Sequence, residues 1–312
     1  MILIAGGTGR LGTLLVRRLV KRGLTVRVMT RAPDRARHLA AAHVDIVRGD
    51  VRDRGTLDGA VMDGVRTVVS AVHGFAGPDR VSPASIDVRG NINLIDAASR
   101  VRADVVMVSV VGAARDSPME LSRAKYQAEQ YLRSTGVPWT IIRATAFVET
   151  WAMVMGDPLR TTGRLMVFGR GSNPINFVSA IDVAALIEHA VLEPTLRGRT
   201  IELGGTRDVT FNEFAKLLDQ VIGGHAAVRH VPRPVLRLMG ALLGPVNPQL
   251  ARQARAAVAI DTANMRFDST ATRGEFPDLP NTELATALEQ YFAGSHRQPL
   301  PNPIPRDRPA VF

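Results

Sequence analysis

Apolar and polar positions alternate along this chain in two recurring patterns. Short apolar runs end in turn formers, and each is followed by a stretch with apolar residues at helical spacing. Residues 1–5 are the first such run, and Leu11, Leu14, Leu15 and Leu19 then mark one face of a helix that Gly23 ends. Further strands are predicted over 24–29, 44–48, 65–72, 105–110 and 139–143. Helices are predicted between them, over 56–62, 87–98 and 118–133. The alternation predicts an α/β fold, a doubly wound parallel sheet with helices on both faces.

The turn between the first strand and the first helix is built of glycine. Gly7-Thr8-Gly9-Arg10-Leu11-Gly12 fits G-x-G-x-x-G, and Gly6, Gly9 and Gly12 also fit G-x-x-G-x-x-G. Strand, glycine turn and helix is the order this motif requires. Its glycines let the backbone approach a pyrophosphate, and the helix start offers free N–H groups to it. Gly6 to Gly12 are therefore expected to bind a dinucleotide. An acid near the end of the second strand would accept ribose hydroxyls, but Thr30-Arg31 stands there. Arg31, assisted by Arg10 of the glycine loop and by Arg35, suits a 2′-phosphate, so NADP(H) is expected and NAD(H) is the alternative. Asp50 and Val51, after the third strand, are candidates for the adenine side, with a turn cap as the alternative for Asp50. Ser70, Ala71, Val72 and His73 close the fourth strand, at the edge where such sheets bind ligands.

The second half reads as a smaller substrate domain. Loops are expected at Gly163, Gly169 and Gly171, a helix cap at Asp182, and a short strand at 201–204. Thr210 and Glu213 have capping-box spacing before a helix to Val221. An apolar helix over 235–243 and an alanine-rich stretch over 250–260 are expected to cover the cleft as a lid, and a last helix is expected over 283–292. From about residue 294 the chain is proline-rich and expected to be extended. The expected division is a Rossmann domain over 1–150, completed by about 176–200, and a substrate and lid domain over 151–312.

Composition narrows the function classes. The net charge is +10, yet the arginines are scattered among acids and form no stripe with interleaved aromatics, so nucleic acid is not expected as a partner. Lysine occurs only at 21, 125 and 216, and the other 36 of the 39 basic residues are arginine, a bias that fits codon usage better than a binding surface. The absence of cysteine excludes disulfides and thiolate chemistry. No His, Asp and Glu grouping has metal-ligand spacing, and His225 and His230 are expected to be structural. No apolar run matches a membrane span, and a strand starting at residue 2 leaves no room for a signal peptide, so a cytoplasmic protein is expected.

Taken in order, the glycine signature, Arg31, Gly49-Asp50-Val51, Asn93, Ser109, Lys125 and Ile141-Ile142-Arg143 resemble the atypical and extended short-chain dehydrogenases/reductases. The branch they are most similar to is the NmrA-like, isoflavone-reductase-like and quinone-reductase-like one. Residues 177–184 resemble that family's return to its first domain, and the resemblance covers roughly residues 2–205. It implies a serine and a Tyr-x-x-x-Lys motif at the reacting end. Ser109 and Lys125 match, but the tyrosine position is Leu121. Tyr126 lies on another part of the helix, and Ser122 is the nearest hydroxyl.

Two functions follow from the resemblance. In one, Lys125 holds the nicotinamide ribose, Ser109 assists, and His73, Lys125 or a relayed water supplies the proton to a small aromatic, quinone or enone substrate, as in a tailoring enzyme of secondary metabolism. In the other, the protein binds NAD(P) without turnover and senses redox state for a partner. A surface lysine is the bland alternative for Lys125. Ala144 is expected beside the nicotinamide. Thr145, Phe147, Val148 and Trp151 are expected as pocket walls, with Met153, Met155, Met166 and Phe168 nearby, and core packing is the alternative for all of these. A homodimer is the expected assembly.

Overall fold

The computed structural model describes residues 1–75, 81–162, 164–224 and 226–295. Gly163, His225 and the proline-rich tail beyond Ser295 lie outside the described residues. The first half alternates as its sequence predicts: β1 (Ile2–Ala5), α1 (Arg10–Lys21), β2 (Val26–Thr30), β3 (Val44–Arg48), β4 (Thr67–Ser70), α2 (Asn91–Arg100), β5 (Asp104–Val110), α3 (Glu120–Ser134) and β6 (Trp139–Ala144). There follow β7 (Ala146–Phe147), α4 (Val148–Thr162), β8 (Arg164–Phe168), β9 (Pro174–Val178), α5 (Ala180–Leu192), β10 (Arg199–Leu203), β11 (Asp208–Thr210) and α6 (Phe211–Ile222). The last elements are β12 (Ala227–Val231), α7 (Arg233–Leu242), α8 (Pro248–Thr262), α9 (Thr270–Glu275) and α10 (Leu284–Ser295).

Seven strands form one parallel sheet in the order β10-β6-β5-β4-β1-β2-β3. The order reverses between β1 and β4, and ligands of such sheets lie at the carboxyl ends of the strands beside that reversal. Strands buried on both faces need apolar residues of both parities. In β5, Val106 and Val108 face a core with Leu15, Leu19, Val183 and Leu186 of α1 and α5. Val105 and Met107 face the other, with Leu94 and Ile95 of α2 and Ala128 and Leu132 of α3. A third core joins Val148, Met155, Phe177, Phe211, Phe214 and Leu288, under the sheet of β11, β9 and β7 and the pair β8–β12.

Two expectations need correction here. Residues 56–62 are not an α-helix but two short 3₁₀ turns, Arg54–Leu57 and Gly59–Val61. Gly59 has φ +52°, and the buried Arg27 of β2 donates to the carbonyls of Val61 and Asp63, holding this segment against the sheet. Asp182 does not cap α5: Ser179 does, accepting from Ile181 N–H at 3.2 Å. Asp182 is fully buried in the first turn, pairs with Arg273 at 2.9 Å and accepts from Thr282 N–H and its hydroxyl. It fastens the C-terminal segment to the main sheet's helix layer.

One ion-pair group fixes α1 to α5. Glu188, with a side chain 4% exposed, accepts from Arg18 Nε at 2.5 Å and Arg22 Nε at 2.6 Å. Burial alone would raise the Glu188 pKa, but the Arg22 and Arg18 bonds together outweigh it and hold the carboxyl below its ordinary 4.5. A carboxyl depressed in the folded state contributes stability above its unfolded pKa and loses it as pH falls through the folded value. Glu188→Gln is expected to cost about 1–2 kcal/mol near neutral pH. Urea unfolding of both proteins should show that difference constant above the ordinary carboxyl pKa and shrinking below it.

Candidate functional site

The site begins where β1 stops. Gly6 has φ +90°, and a Cβ there would lie 2.6 Å from the carbonyl oxygen of Ala71. A Cβ on Gly12 would lie 2.2 Å from the carbonyl oxygen of Gly6. Both contacts are backbone against side chain, with nothing flexible to yield, so turn, helix and β4 close up only because these positions are glycine. α1 then starts at Gly9 with no side-chain cap and no acid in its first turn. Its first amide groups face outward beside Thr8, Gly9 and Arg10, which are exposed, and Leu11, which is half-buried. This uncapped helix start and tight glycine cradle fit a pyrophosphate.

Around the cradle the predicted residues separate. Arg31 is exposed at the end of β2, and its charge reaches Asp50. The Asp50 carboxyl is already held by Arg52 at 2.5 Å and accepts from Arg52 N–H, which keeps its pKa below the ordinary range against the effect of burial. Val51 is buried, and its carbonyl accepts from Asn93 Nδ2 at 2.8 Å. Arg10 turns the other way: its guanidinium lies 4.1 Å from the centroid of the Tyr291 ring on α10, and its charge reaches Glu149. Arg35 is exposed on the turn after β2. Of the three arginines predicted to act together, Arg10 thus serves a different part of the edge from Arg31 and Arg35.

At the end of β4 the structure builds a closed polar network. Lys125 of α3 is 3% exposed and Asp87 is fully buried, and Nζ lies 3.0 Å from Asp87 Oδ1. Nζ also donates to the Val72 carbonyl at 2.9 Å, and Asp87 Oδ2 accepts from Gly74 N–H at 2.8 Å. An ammonium has three donors; the Val72 carbonyl takes one, and Asp87 holds the group as its ion partner. Asp87 Oδ1 has no aligned hydrogen-bond donor, and neither does Ser122 Oγ, 1% exposed and one helical turn before Lys125. Buried polar atoms without aligned donors are costly, and for Asp87 the ion pair with Lys125 offsets part of that cost.

A helix irregularity makes this network possible. Residues Pro83–Gly90 form a π-helix that runs into α2. Asn91 N–H reaches back to the Ile86 carbonyl, and the Asn91 side-chain amide takes the Asp87 carbonyl at 2.8 Å instead. Ser70 Oγ donates to Asn91 Oδ1 at 2.6 Å, tying the turn to β4. Ser70 therefore spends its hydroxyl on the scaffold, and only its backbone and the half-buried Ala71 and Val72 front the edge. Solvent reaches His73, but protein crowds its ring: desolvation holds its pKa below 6.5, Asp87 opposes this and Lys125 adds to it.

Other expected positions are occupied differently. Lys125 is not a surface lysine. Ser109 is buried and donates to Glu129 Oε1 at 2.6 Å, in a group with Arg143, whose pKa the Glu129 bond raises. Its hydroxyl is bonded away from the Lys125 network. Val148 is 1% exposed and belongs to the third core, as does Met155, so neither is a pocket wall. Trp151 is half-buried and packs on Phe211, with centroids 4.6 Å apart. Phe147 is half-buried against the first core, and Thr145 Oγ1 donates to Asn176 Oδ1 at 3.0 Å. Ala144 is buried at the end of β6, and Leu121 is half-buried. Sequence reasoning missed Asp87 and Glu149. Glu149 is 7% exposed and accepts from Ser179 Oγ and Ala180 N–H, and burial raises its pKa against those bonds and the Arg10 charge. The unusual Asn91 within a predicted helix was the available signal for Asp87, and its pairing with Lys125 was not readable.

A surface depression lies among residues 58–66 and 97–102, at the opposite ends of the strands, and none of these groups lines it. Among the described residues no group of His, Asp and Glu could hold a metal ion. No helix of the described residues is long and apolar enough to cross a membrane.

The Lys125–Asp87 pair predicts a thermodynamic cycle. Lys125→Met leaves a buried carboxylate without its cation and is expected to cost about 3–5 kcal/mol. Asp87→Asn added to it keeps an acceptor for Gly74 and should recover most of that loss in denaturant unfolding. An additive cycle would mean that the two groups do not interact.

Comparison with known proteins agrees with this geometry. A family model described as NAD(P)H-binding matches residues 6–194. The chain is similar to (4-alkanoyl-5-oxo-2,5-dihydrofuran-3-yl)methyl phosphate reductase of Streptomyces griseus, 30% identical over 72% of this chain and 74% of that protein. It is also similar to photosystem II assembly factor Ycf39 of Synechocystis, 27% identical over 76% of this chain and 72% of that protein. Its fold matches the crystal structure of an NADPH-dependent quinone oxidoreductase from Escherichia coli complexed with NADPH, with TM-score 0.74 at 21% identity, over 94% of this chain and 100% of that one. The cradle at Gly6 to Gly12, the seven-stranded sheet and the matched family model together make this chain a member of the NAD(P)H-binding family, with a Rossmann-like fold.

Proposed function

We propose that this protein is an NADPH-dependent reductase of a small conjugated acceptor, a quinone, an enone or a related aromatic compound. The observation that carries this reading is the buried Lys125–Asp87 pair, aimed at the carboxyl end of β4 beside the glycine cradle. The bound nicotinamide supplies hydride. The Gly6–Gly12 turn and the start of α1 hold its pyrophosphate, and Arg31 meets the 2′-phosphate. The Asp87 charge and the Val72 carbonyl fix Lys125, which keeps an N–H for a ribose hydroxyl. His73, mostly neutral near pH 7 because its pKa lies below 6.5, takes up a proton at lower pH and donates it to the substrate oxygen.

The substrate class follows from what is missing. The family's tyrosine position is Leu121, which offers no proton. An isolated ketone accepting hydride develops a localised alkoxide and needs a strong, well-placed acid. A conjugated acceptor spreads that charge over its own π system and tolerates a weaker donor such as His73. The similarity to a reductase of an unsaturated ring compound and the fold shared with a quinone oxidoreductase support this choice.

A second reading has its own support: a protein that binds NAD(P)H without turnover and reports it to a partner. Ser109 is tied to Glu129 and Leu121 has no proton, so two groups expected at a reacting end are not available in their usual form. The similarity to an assembly factor points the same way.

Steady-state NADPH oxidation with a panel of quinones and enones separates the two readings. The reductase reading expects turnover that rises as pH falls through the His73 pKa, with His73→Asn removing that limb. Tight NADPH binding with no acceptor reduced would sink it in favour of the sensor. Arg31→Asp is expected to weaken NADPH binding about tenfold to a hundredfold, the worth of a charge-assisted contact, and to leave NADH binding unchanged. Equal losses for both cofactors would remove Arg31 from the phosphate site.

A further inference from the structure

The segment around α7 does not resemble the rest of the surface. Among the described residues nine large apolar side chains are exposed, and six of them, Val228, Val235, Leu238, Leu242, Val246 and Leu250, fall within this one segment. Leu242 is 64% and Val246 85% exposed. The segment is equally unusual in charge: residues 220–260 contain five arginines and no Asp or Glu. Arg229, Arg237 and Arg255 are exposed and pair with no carboxylate among the described residues.

α7 already has a buried side. Leu236 packs with Ala254 and Ala257 of α8, with Met239 against them, and a Cβ on Gly240 would lie 2.8 Å from Arg255 Cγ. Val235, Leu238 and Leu242, spaced three and four apart, form a second apolar stripe away from that contact. A helix apolar on two sides at a protein surface leaves one side for something else. A second copy of this chain would bring the same arginines, of which Arg255 is held only by the Gly240 carbonyl, toward each other across a two-fold axis, which disfavours it. An anionic surface that also offers an apolar layer satisfies both features at once.

We propose that the α7 face, with Val246 of the following turn and Leu250 in the first turn of α8, lies in the headgroup layer of an anionic lipid bilayer. Leu238, Leu242 and Val246 enter the acyl boundary, and Arg229, Arg237 and Arg255 stay at the phosphates. The protein is then a peripheral membrane protein held by one helix face, with no spanning segment needed. The site at the glycine cradle plays no part in this attachment.

Vesicle co-sedimentation of the full chain tests it. The protein should bind vesicles of phosphatidylcholine with about 30% phosphatidylglycerol, and bind pure phosphatidylcholine far more weakly. Leu238→Asp/Leu242→Asp should reduce binding at least about tenfold, and Arg229→Gln/Arg237→Gln about fivefold per arginine, with less effect at high salt. All these positions are exposed, so circular dichroism and melting should stay at the wild-type values, which separates lost binding from lost folding. No binding to the anionic vesicles overturns the proposal, and so does binding that the leucine variant leaves unchanged. A concentration-dependent dimer that forms without lipid and is broken by Leu238→Asp/Leu242→Asp overturns it too, in favour of a second copy.

Discussion

An ammonium buried next to a buried carboxylate is the interaction on which the ligand edge of this protein depends. Burying either charge alone costs several kcal/mol, and their attraction offsets that only when hydrogen bonds satisfy the rest of each group. Lys125 meets the condition with Asp87 and the Val72 carbonyl, and Asp87 meets it in part with Gly74 N–H. A pair of apolar residues of the same size would pack there with no desolvation to overcome. A scaffold gains little stability from the charged pair. What the pair supplies is one N–H and one carboxylate oxygen held at a fixed place beside β4. That is a property of use to a ligand.

The pair depends on the irregular helix before α2. A regular α-helix would place Asn91 N–H on the Asp87 carbonyl. The π register moves that bond to Ile86 and gives the Asp87 carbonyl to the Asn91 side chain, whose oxygen accepts from Ser70. Insertions of this kind are uncommon and cluster at functional places. Here the consequence is mechanical. β4, the π-helix and α3 are joined in one loop of bonds through Ser70, Asn91, Asp87, Lys125 and Val72, so none of the three can shift without disturbing the lysine.

How much of this was readable in the sequence depends on the range of the interaction concerned. The strands, the glycine cradle and the capping box at Thr210 rest on neighbours within one turn, and the chain spells them out; the reciprocal bonds of Thr210 and Glu213 are present. Lys125 was legible through the family resemblance. Its partner was not, because Asp87 is 38 residues away and looks like any helical acid. Ser109 matched a motif, yet Glu129 claims its hydroxyl, and no local pattern announces that bond. The misread helix at 56–62 has the same origin. Its apolar residues do face the core, but Gly59 and the carbonyls taken by Arg27 set a tighter turn than periodicity suggests.

The C-terminal half shares the first core through Phe276 and Leu279, and charged side chains fasten it further. Arg273 reaches Asp182 and the Gly204 carbonyl, Arg252 reaches the carbonyls of Phe75 and Val81, and Arg10 stacks on Tyr291. Guanidinium groups suit this task because they remain charged when half-buried and offer several donors in a plane. They also differ in what they leave free. Arg273 and Arg252 hold carbonyls and a carboxylate inside the protein, while Arg10 lies on an aromatic face at the start of α1, where an anion would compete for it directly. A pyrophosphate in the cradle would therefore act on the hold between the glycine turn and α10, and through Glu149 on the start of α5. The arginine excess that composition alone assigns to codon usage is, at these positions, part of what joins the second half of the chain to the first.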